Sequence, residues 1–380
     1  MEQDILIIGA GPAGLSSALH LQALAPELAK RILVLEKAHH PRPKLCGGGL
    51  VADAEVILRR LGLDTSDVPH VDAQSAHFEF KGKGLTIRVP GDHSLRIIRR
   101  DEFDSWLATK ARERGIELQE GVTVKAVTPD ESGVTVETDG AVYRAKVVIG
   151  ADGSNGIVRR SVLPDEAIFT ARLLEVLAPP NGNQQHPAQQ AYFDFFPVPQ
   201  GIAGYSWDFP TQVAGNPMRC WGIYDTNLQA GRKRPALKEV LAVEMSRLGY
   251  NLADYELKGH PIRWFDPSTR MSVPRVLLAG DAAGADPLFG EGISYALGYG
   301  KLAAQEIIEA FDRGNFTFTD YRNRVNFSPL GQTLLARSFI AQVVYSMRRD
   351  WSQILLWRVL KPVVMVASWL FVLNWAKRMR

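Results

Sequence analysis

Gly9, Gly11 and Gly14, followed by Glu36, are the residues whose types and spacing speak most directly of chemistry. In a G-x-G-x-x-G turn the first glycine permits the tight bend and the second lets the backbone approach a pyrophosphate. The third lets the following helix sit close to the preceding strand. That helix presents unpaired N–H groups and the positive end of its dipole to phosphate, and an acid in the position of Glu36 accepts hydrogen bonds from a ribose. The motif alone is weak evidence, so its context decides. Asp4-Ile5-Leu6-Ile7-Ile8 has the length of a buried strand, Leu15 to Leu24 reads as a helix, and Ile32-Leu33-Val34-Leu35 is a second strand ending on Glu36. Strand, helix, strand and acid in that order predict a βαβ dinucleotide site, with NAD and FAD both open.

Two later turns carry related chemistry. Val147-Val148-Ile149 runs into Gly150-Ala151-Asp152-Gly153-Ser154, and Arg275 to Ala279 runs into Gly280-Asp281-Ala282-Ala283-Gly284. An aspartate on a glycine turn after a strand can bind a ribityl or ribose hydroxyl. The small-residue helix predicted from Ser294 to Phe311 can turn its N-terminus toward phosphate or a ring edge. Between these lies Leu45-Cys46-Gly47-Gly48-Gly49, where three glycines suggest a backbone pressed against something flat or anionic. Cys46 itself is balanced between a small buried filler and a group beside a cofactor. Arg42, Lys44, Arg159 and Arg160 could attract the phosphates of a nicotinamide donor, although solvated surface charge is the commoner role for such residues.

These residues need a scaffold. With 380 residues, 46% of them hydrophobic, the chain can bury a large core and has room for two domains or slightly more. The predicted class is α/β: a Rossmann-type nucleotide-binding domain with an inserted antiparallel β-rich substrate domain and a C-terminal helical tail. The first domain is read as residues 1–75, 97–160 and 265–330. Residues 76–96 and 161–264, with alternating and aromatic runs, form the second. Short strands are expected at Ile116–Leu118, Val122–Val127, Val134–Thr138 and Tyr143–Ala145, and helices at Val51–Leu61 and Lys238–Leu248. The two cysteines, Cys46 and Cys220, are far apart and no zinc-type His/Cys spacing occurs, so neither a disulfide framework nor a metal is predicted. A reducing, cytoplasmic setting follows, and an N-terminus entering its first strand directly gives no sign of a signal peptide.

Charge is uneven. Between Gly331 and Arg380 there are eight basic residues against one acid, a net +7, so the remainder of a chain of formal charge +3 carries −4. Trp351, Trp357, Trp369 and Trp375 also fall here. Such an asymmetry points to a membrane surface or to nucleic acid, and no nucleic-acid motif accompanies it. Pro362 to Ala376 is uncharged but shorter than the roughly 20 apolar residues a spanning helix needs. Residues 331–380 are therefore read either as an interfacial segment at the inner face of a membrane or as helices packed on the protein or on a second copy. Oligomeric state is left open.

The motifs together resemble the FAD-dependent aromatic-hydroxylase fold group: Gly9–Gly14 with Glu36, Arg100-Asp101-Glu102-Phe103-Asp104, Ala151–Ser154, and Gly280-Asp281 through Gly292-Ile293. The resemblance implies that the first motif holds the ADP half of FAD and that Ala13, Lys37 and Val124 are among the cofactor-binding residues. It implies that Arg100 contacts the cofactor, that Asp152-Gly153 lies near FAD and a nicotinamide donor, and that Gly280, Asp281, Gly290, Gly292 and Ile293 hold the ribityl and pyrophosphate part. Two further stretches, Lys44 to Gly49 and Gly204 to Pro210, are similar to the K-x-C-G-G and Y-x-W-x-F-P signatures of the geranylgeranyl reductase family, flavoproteins that saturate prenyl double bonds. The W-x-W-x-I-P motif of flavin halogenases is not found. The implied activity is FAD-dependent reduction of a lipophilic prenyl chain, with NADPH or reduced ferredoxin as donor and Cys46, Tyr205 and Trp207 as catalytic residues. Lys44 and Gly47 join the cofactor set by the same resemblance. Tyr205, Trp207 and Phe209 share one face of a strand, where they would line an apolar channel or simply form core. A monooxygenase acting on an aromatic or quinone-like substrate, and a membrane-docked electron carrier, are the competing readings.

Overall fold

Ile5-Leu6-Ile7-Ile8 has no polar position, so it must be covered on both faces, and it forms the middle of the main sheet with exposures of 4% or less. In the computed structural model, which describes residues 2–89, 92–166, 169–182, 186–228 and 234–379, the strand Glu2–Ile8 pairs in parallel with Ile32–Glu36 on one side and Val142–Gly150 on the other. Glu117–Glu120 extends the first side in parallel, and Val276–Leu278 and then Ser272–Val273 extend the second.

Val142–Gly150 differs from expectation. Tyr143–Ala145 and Val147–Gly150 were expected as separate strands, yet they form one nine-residue strand. Its first half pairs antiparallel with Val134–Thr138 while its second half pairs parallel with Glu2–Ile8. Lys146 does not interrupt it, because in a strand it points away from buried Ala145 and Val147 and its ammonium meets Asp4 at 2.8 Å.

Helix Pro12–Leu24 rises from the first turn and packs on helix Ile293–Arg313. Small residues allow the approach: a Cβ on Gly300 would lie 2.5 Å from Ser16 Oγ, and that hydroxyl donates to Leu297 O at 2.7 Å.

A second sheet faces this unit. Among the described residues it has seven strands, running from Lys258–Arg263 through Thr170–Ala178, Asn216–Asp225, Gly204–Val213, Gln190–Asp194 and Ser75–Phe80 to Lys83–Arg88. Its pairs are antiparallel except Gln190–Asp194 with Ser75–Phe80, which are parallel. The expected all-antiparallel pattern fails there because the two strands come from distant parts of the chain and no hairpin dictates their direction. A small third sheet joins Gly49–Leu50 and His70–Ala73 to Leu95–Ile98.

The C-terminal segment is helical but does not lie free. Helix Pro329–Ser346 is capped by Ser328 Oγ, which accepts from Gly331 N, and it buries Leu330, Leu334, Arg337 and Tyr345. The chain then turns back through Asp350–Ile354, Lys361–Ala367 and Trp375–Arg378, with wider π-type turns between them. Trp375 is fully buried and stacks on Tyr295, with centroids 5.1 Å apart and planes 6° apart. Asp53 accepts from Ala376 N at 2.7 Å and Asn374 N at 3.0 Å, fastening this end to helix Ala52–Arg60. Trp357 is buried as well, whereas Trp351 and Trp369 are exposed. Among the described residues no single helix is long and apolar enough to cross a membrane. Asp350–Val359 and Lys361–Arg378 reach that length only as a pair bent by 73°. Arg380 lies outside the described residues, as do the side chains of Phe371 and Val372.

Truncating a buried aromatic removes its packing and leaves a cavity. Trp375→Ala is expected to cost about 3–5 kcal/mol in denaturant unfolding, whereas Trp369→Ala, at 66% exposure, should stay within about 0.5 kcal/mol.

Candidate active site

A cavity of about 890 Å3 lies between the main sheet and the aromatic face of the second sheet. Its first wall is built by Ile8, Glu36 and Ala151, where the parallel strands end, which is where open α/β sheets place their ligands. Ala13, Lys37, Lys44, Cys46, Gly47, Arg100, Val124, Asp152, Gly153, Asp281, Gly290, Gly292 and Ile293 all border it, together with Gly9 and Gly11. Gly14 and Gly280 do not; they stand behind the wall.

The glycines have separable physical reasons. Gly9 adopts φ +105°, and a Cβ there would lie 2.4 Å from Ala151 O. A Cβ on Gly14 would lie 1.9 Å from Gly9 O, so this residue brings helix and strand together. Gly280, at φ +63°, packs on Ala13 Cβ. Gly11 alone among these faces open space, with Arg42 Nη2 at 3.6 Å as its nearest neighbour. Helices Pro12–Leu24 and Ile293–Arg313 both begin at the cavity, and neither N-terminus has a side-chain cap. Two uncapped helix N-termini and a backbone bare of side chain form a cradle for a pyrophosphate.

Charge around the cavity is arranged in pairs. Glu36 is buried; it accepts from Ala10 N at 2.8 Å and meets Arg42 at 3.5 Å. Arg100 is held by a two-pronged bond to Asp104 at 2.8 and 2.9 Å, and the charges of Asp104, Cys46 and Asp281 raise its pKa against the opposing effect of burial. Lys44 Nζ donates to His260 Nε2 at 2.7 Å. Burial and the neighbouring Lys44 charge push His260 down to about 4, so the imidazole is neutral and accepts this bond. Asp152 borders the cavity but spends Oδ2 on Val158 N at 2.9 Å, and burial pushes its pKa up to about 6. Asp281 stays at the wall, where Ser154 Oγ donates to it at 3.3 Å.

The glycines after Cys46 are pressed on the protein itself. A Cβ on Gly47 would lie 3.2 Å from both Trp207 Nε1 and Phe209 Cε2, and one on Gly48 would lie 2.1 Å from Ile98 O. The flat partner anticipated for Gly47 is therefore the aromatic pair. Cys46 borders the cavity, and burial pushes its thiol pKa up despite the opposing charge of Arg100.

The second wall is aromatic. Tyr205, Trp207 and Phe209 project from Gly204–Val213, joined by Phe193, Phe78 and Phe289. Tyr205 Oη donates to Phe289 O at 2.6 Å, so its hydroxyl is committed to the backbone rather than free in the cavity. Trp357, Val364 and Leu373 close this side from the C-terminal segment. His260, Phe193, Trp357 and Arg337 also border the cavity, and no local motif in the sequence marks them. A larger recess of about 1410 Å3 lies elsewhere and holds none of the motif residues. Charges in it pair with one another, Arg96 with Asp72 at 2.8 Å and His93 with Glu55 at 3.0 Å.

Sheet order, bare glycine turn and paired helix N-termini define a dinucleotide-binding protein. The chain belongs to a family described as FAD binding domain, whose pattern matches residues 2–298. It is 28% identical to a menaquinone reductase of Mycolicibacterium smegmatis over 80% of this chain and 75% of the relative. It is 29% identical to a digeranylgeranylglycerophospholipid reductase of Methanopyrus kandleri over 82% of each chain. In fold it is similar to a geranylgeranyl bacteriochlorophyll reductase-like protein of Thermoplasma acidophilum, with TM-score 0.79, 21% identity and coverage of 99% and 98%. The cradle at Gly11 fits the pyrophosphate of FAD.

The glycines can be told apart by experiment. Gly11→Ala should leave the unfolding midpoint unchanged and reduce FAD affinity at least about tenfold, since its Cβ meets only the ligand space. Gly14→Ala should instead destabilise the fold by about 3 kcal/mol or more, through a clash with backbone.

Proposed function

We propose that this protein uses reduced FAD to saturate carbon–carbon double bonds of a prenyl chain. The observation that carries this is the wall opposite the glycine turns, where Tyr205, Trp207, Phe209, Phe193 and Phe78 make an aromatic face next to Cys46. Bound FAD supplies the hydride chemistry when reduced. An isolated alkene has no carbonyl to polarise it, so placement in a dry apolar channel has to carry much of the catalysis. Tyr205, Trp207 and Phe209 hold the chain and exclude water. Cys46, a protonated thiol at the wall, gives the proton. Lys44 and Arg100 sit on the cofactor side, and NADPH or reduced ferredoxin recharges the flavin. The similarity to two relatives named as menaquinone reductase and digeranylgeranylglycerophospholipid reductase supports this reading.

We further propose that the protein docks on a membrane surface. Val359, Val363, Val366, Trp369 and Leu370 are exposed on the returning C-terminal segment, flanked by Arg358 and Lys361. Apolar area bordered by basic side chains suits an anionic bilayer surface.

Two measurements test these proposals. Dithionite-reduced protein incubated with lipid extract should add two hydrogens per double bond to a prenyl lipid, by mass spectrometry. Oxygen incorporation into product would favour the monooxygenase, and no change in any lipid would favour an electron carrier. The triple variant Val363→Ser, Val366→Ser, Trp369→Ala should keep its flavin and lose at least about tenfold in liposome binding; equal binding would remove the docking proposal.

A further inference from the structure

Beside the aromatic wall lies a carboxylic acid that neither the cofactor site nor the substrate wall uses. Glu175 stands in the strand Thr170–Ala178, directly across from Gly222, which is itself directly across from Trp207. Cross-strand partners share a face, so Glu175 belongs to the same side of the sheet that turns Tyr205 and Phe209 into the cavity. Gly222 leaves the space between them to the indole: a Cβ there would lie 2.0 Å from Trp207 Cζ2.

Glu175 is only 6% exposed, and among the described residues its Oε2 finds no hydrogen-bond partner. Its carboxyl borders the Cys46 backbone N–H and the Cys220 thiol, and the charged groups facing it are Arg99 and Lys258. Cys46 in turn feels Arg100 and Lys44 from the cofactor side, and Gly48 N donates to its sulfur at 3.4 Å. A carboxylate buried without a full set of donors is costly, so burial favours the neutral, proton-bearing form of the group. Burial pushes its pKa up to about 7.

We propose that Glu175 is the proton reserve of Cys46, a positioning residue that recharges the thiol after each reduction. The inference rests on the reading of Cys46 as the acid in prenyl reduction. Each double bond takes up a hydride, with its two electrons, from reduced FAD and a proton from the protein. The S–H bond of Cys46 breaks as the second C–H bond forms. The thiolate then takes the proton of the Glu175 O–H, and the carboxylate regains a proton from water. Once Glu175 is ionised it has no proton to pass on, and its negative charge raises the thiol pKa further.

The test uses full-length, FAD-loaded protein and Glu175→Gln, which keeps the shape of the protonated acid. The rate of Cys46 alkylation by iodoacetamide, mapped by mass spectrometry, is followed against pH. The wild type should show an inflection near pH 7, beneath the thiol's own. Glu175→Gln should lack it and react at least about threefold faster in mild alkali, with the opposing charge gone. In prenyl reduction Glu175→Gln should lower kcat at least about tenfold with KM and FAD content unchanged, and should lose the pH 7 limb, with partial rescue by Glu175→Asp. Superimposable alkylation profiles, or an unaltered pH profile of kcat, would overturn the proposal. If Glu175→Gln does not retain FAD, infrared difference spectra of the wild type decide instead. A buried carboxylic-acid C=O band titrating near pH 7 supports the proposal, and its absence overturns it. Failure of the wild type to reduce any prenyl lipid would refute the functional reading, while the alkylation profiles still report on the Glu175–Cys46 coupling.

Discussion

Arg337 ties helix Pro329–Ser346 to the loop between the Gly280-Asp281 turn and helix Ile293–Arg313. Its guanidinium meets Asp286 at 2.6 Å and Glu291 at 2.8 Å, with all three side chains at 9% exposure or less. Buried charges of this kind contribute little net stability as a set, yet removing one partner strands the others at a cost of about 3–5 kcal/mol. Two acids share one cation, and burial pushes Glu291 upward against the pull of Arg337. Asp286 also accepts from Leu288 N at 2.7 Å and Phe289 N at 3.0 Å, so the loop it opens has one shape.

That loop joins everything else. It leads from the Gly280-Asp281 turn to the N-terminus of helix Ile293–Arg313, and so sets the flavin-side wall. Its carbonyls receive the hydroxyls of Tyr205, Tyr224 and Tyr345, two from the aromatic sheet and one from helix Pro329–Ser346. Cofactor turn, substrate wall and C-terminal helix therefore meet on a few backbone oxygens. The C-terminal segment has two faces. Inward it supplies Arg337, Trp357 and Trp375 to the core and the cavity; outward it leaves Val363, Val366 and Trp369 uncovered.

What could be read from sequence follows from how local each constraint is. The turn at Gly9 to Gly14 was legible because a positive φ at Gly9 and the contact of Gly14 with the Gly9 carbonyl are local reasons for glycine, and strand and helix periods flank it. The aromatic alternation of Tyr205, Trp207 and Phe209 was legible because strand geometry alone puts them on one face. The Lys44–His260 bond, across 216 positions, and the Arg337–Asp286 pair, across 51, left no trace, because nothing in either neighbourhood names its partner. The same blindness left the tail open between a membrane surface and packed helices: its basic charge and tryptophans were visible, but not that Arg337 and Trp375 are internal. Tyr143 to Gly150 was divided for a related reason, since the lysine within it is explained only by Asp4 on the neighbouring strand.

The central claim is that the aromatic wall presents an alkene to reduced flavin. Anaerobic stopped-flow mixing of the reduced protein with a prenyl lipid tests this most directly. The flavin absorbance should return without oxygen, one flavin reoxidised per double bond saturated, and Trp207→Ala should slow the return while keeping the cofactor. Flavin that stays bleached with the lipid and recovers only when oxygen is admitted would contradict the account.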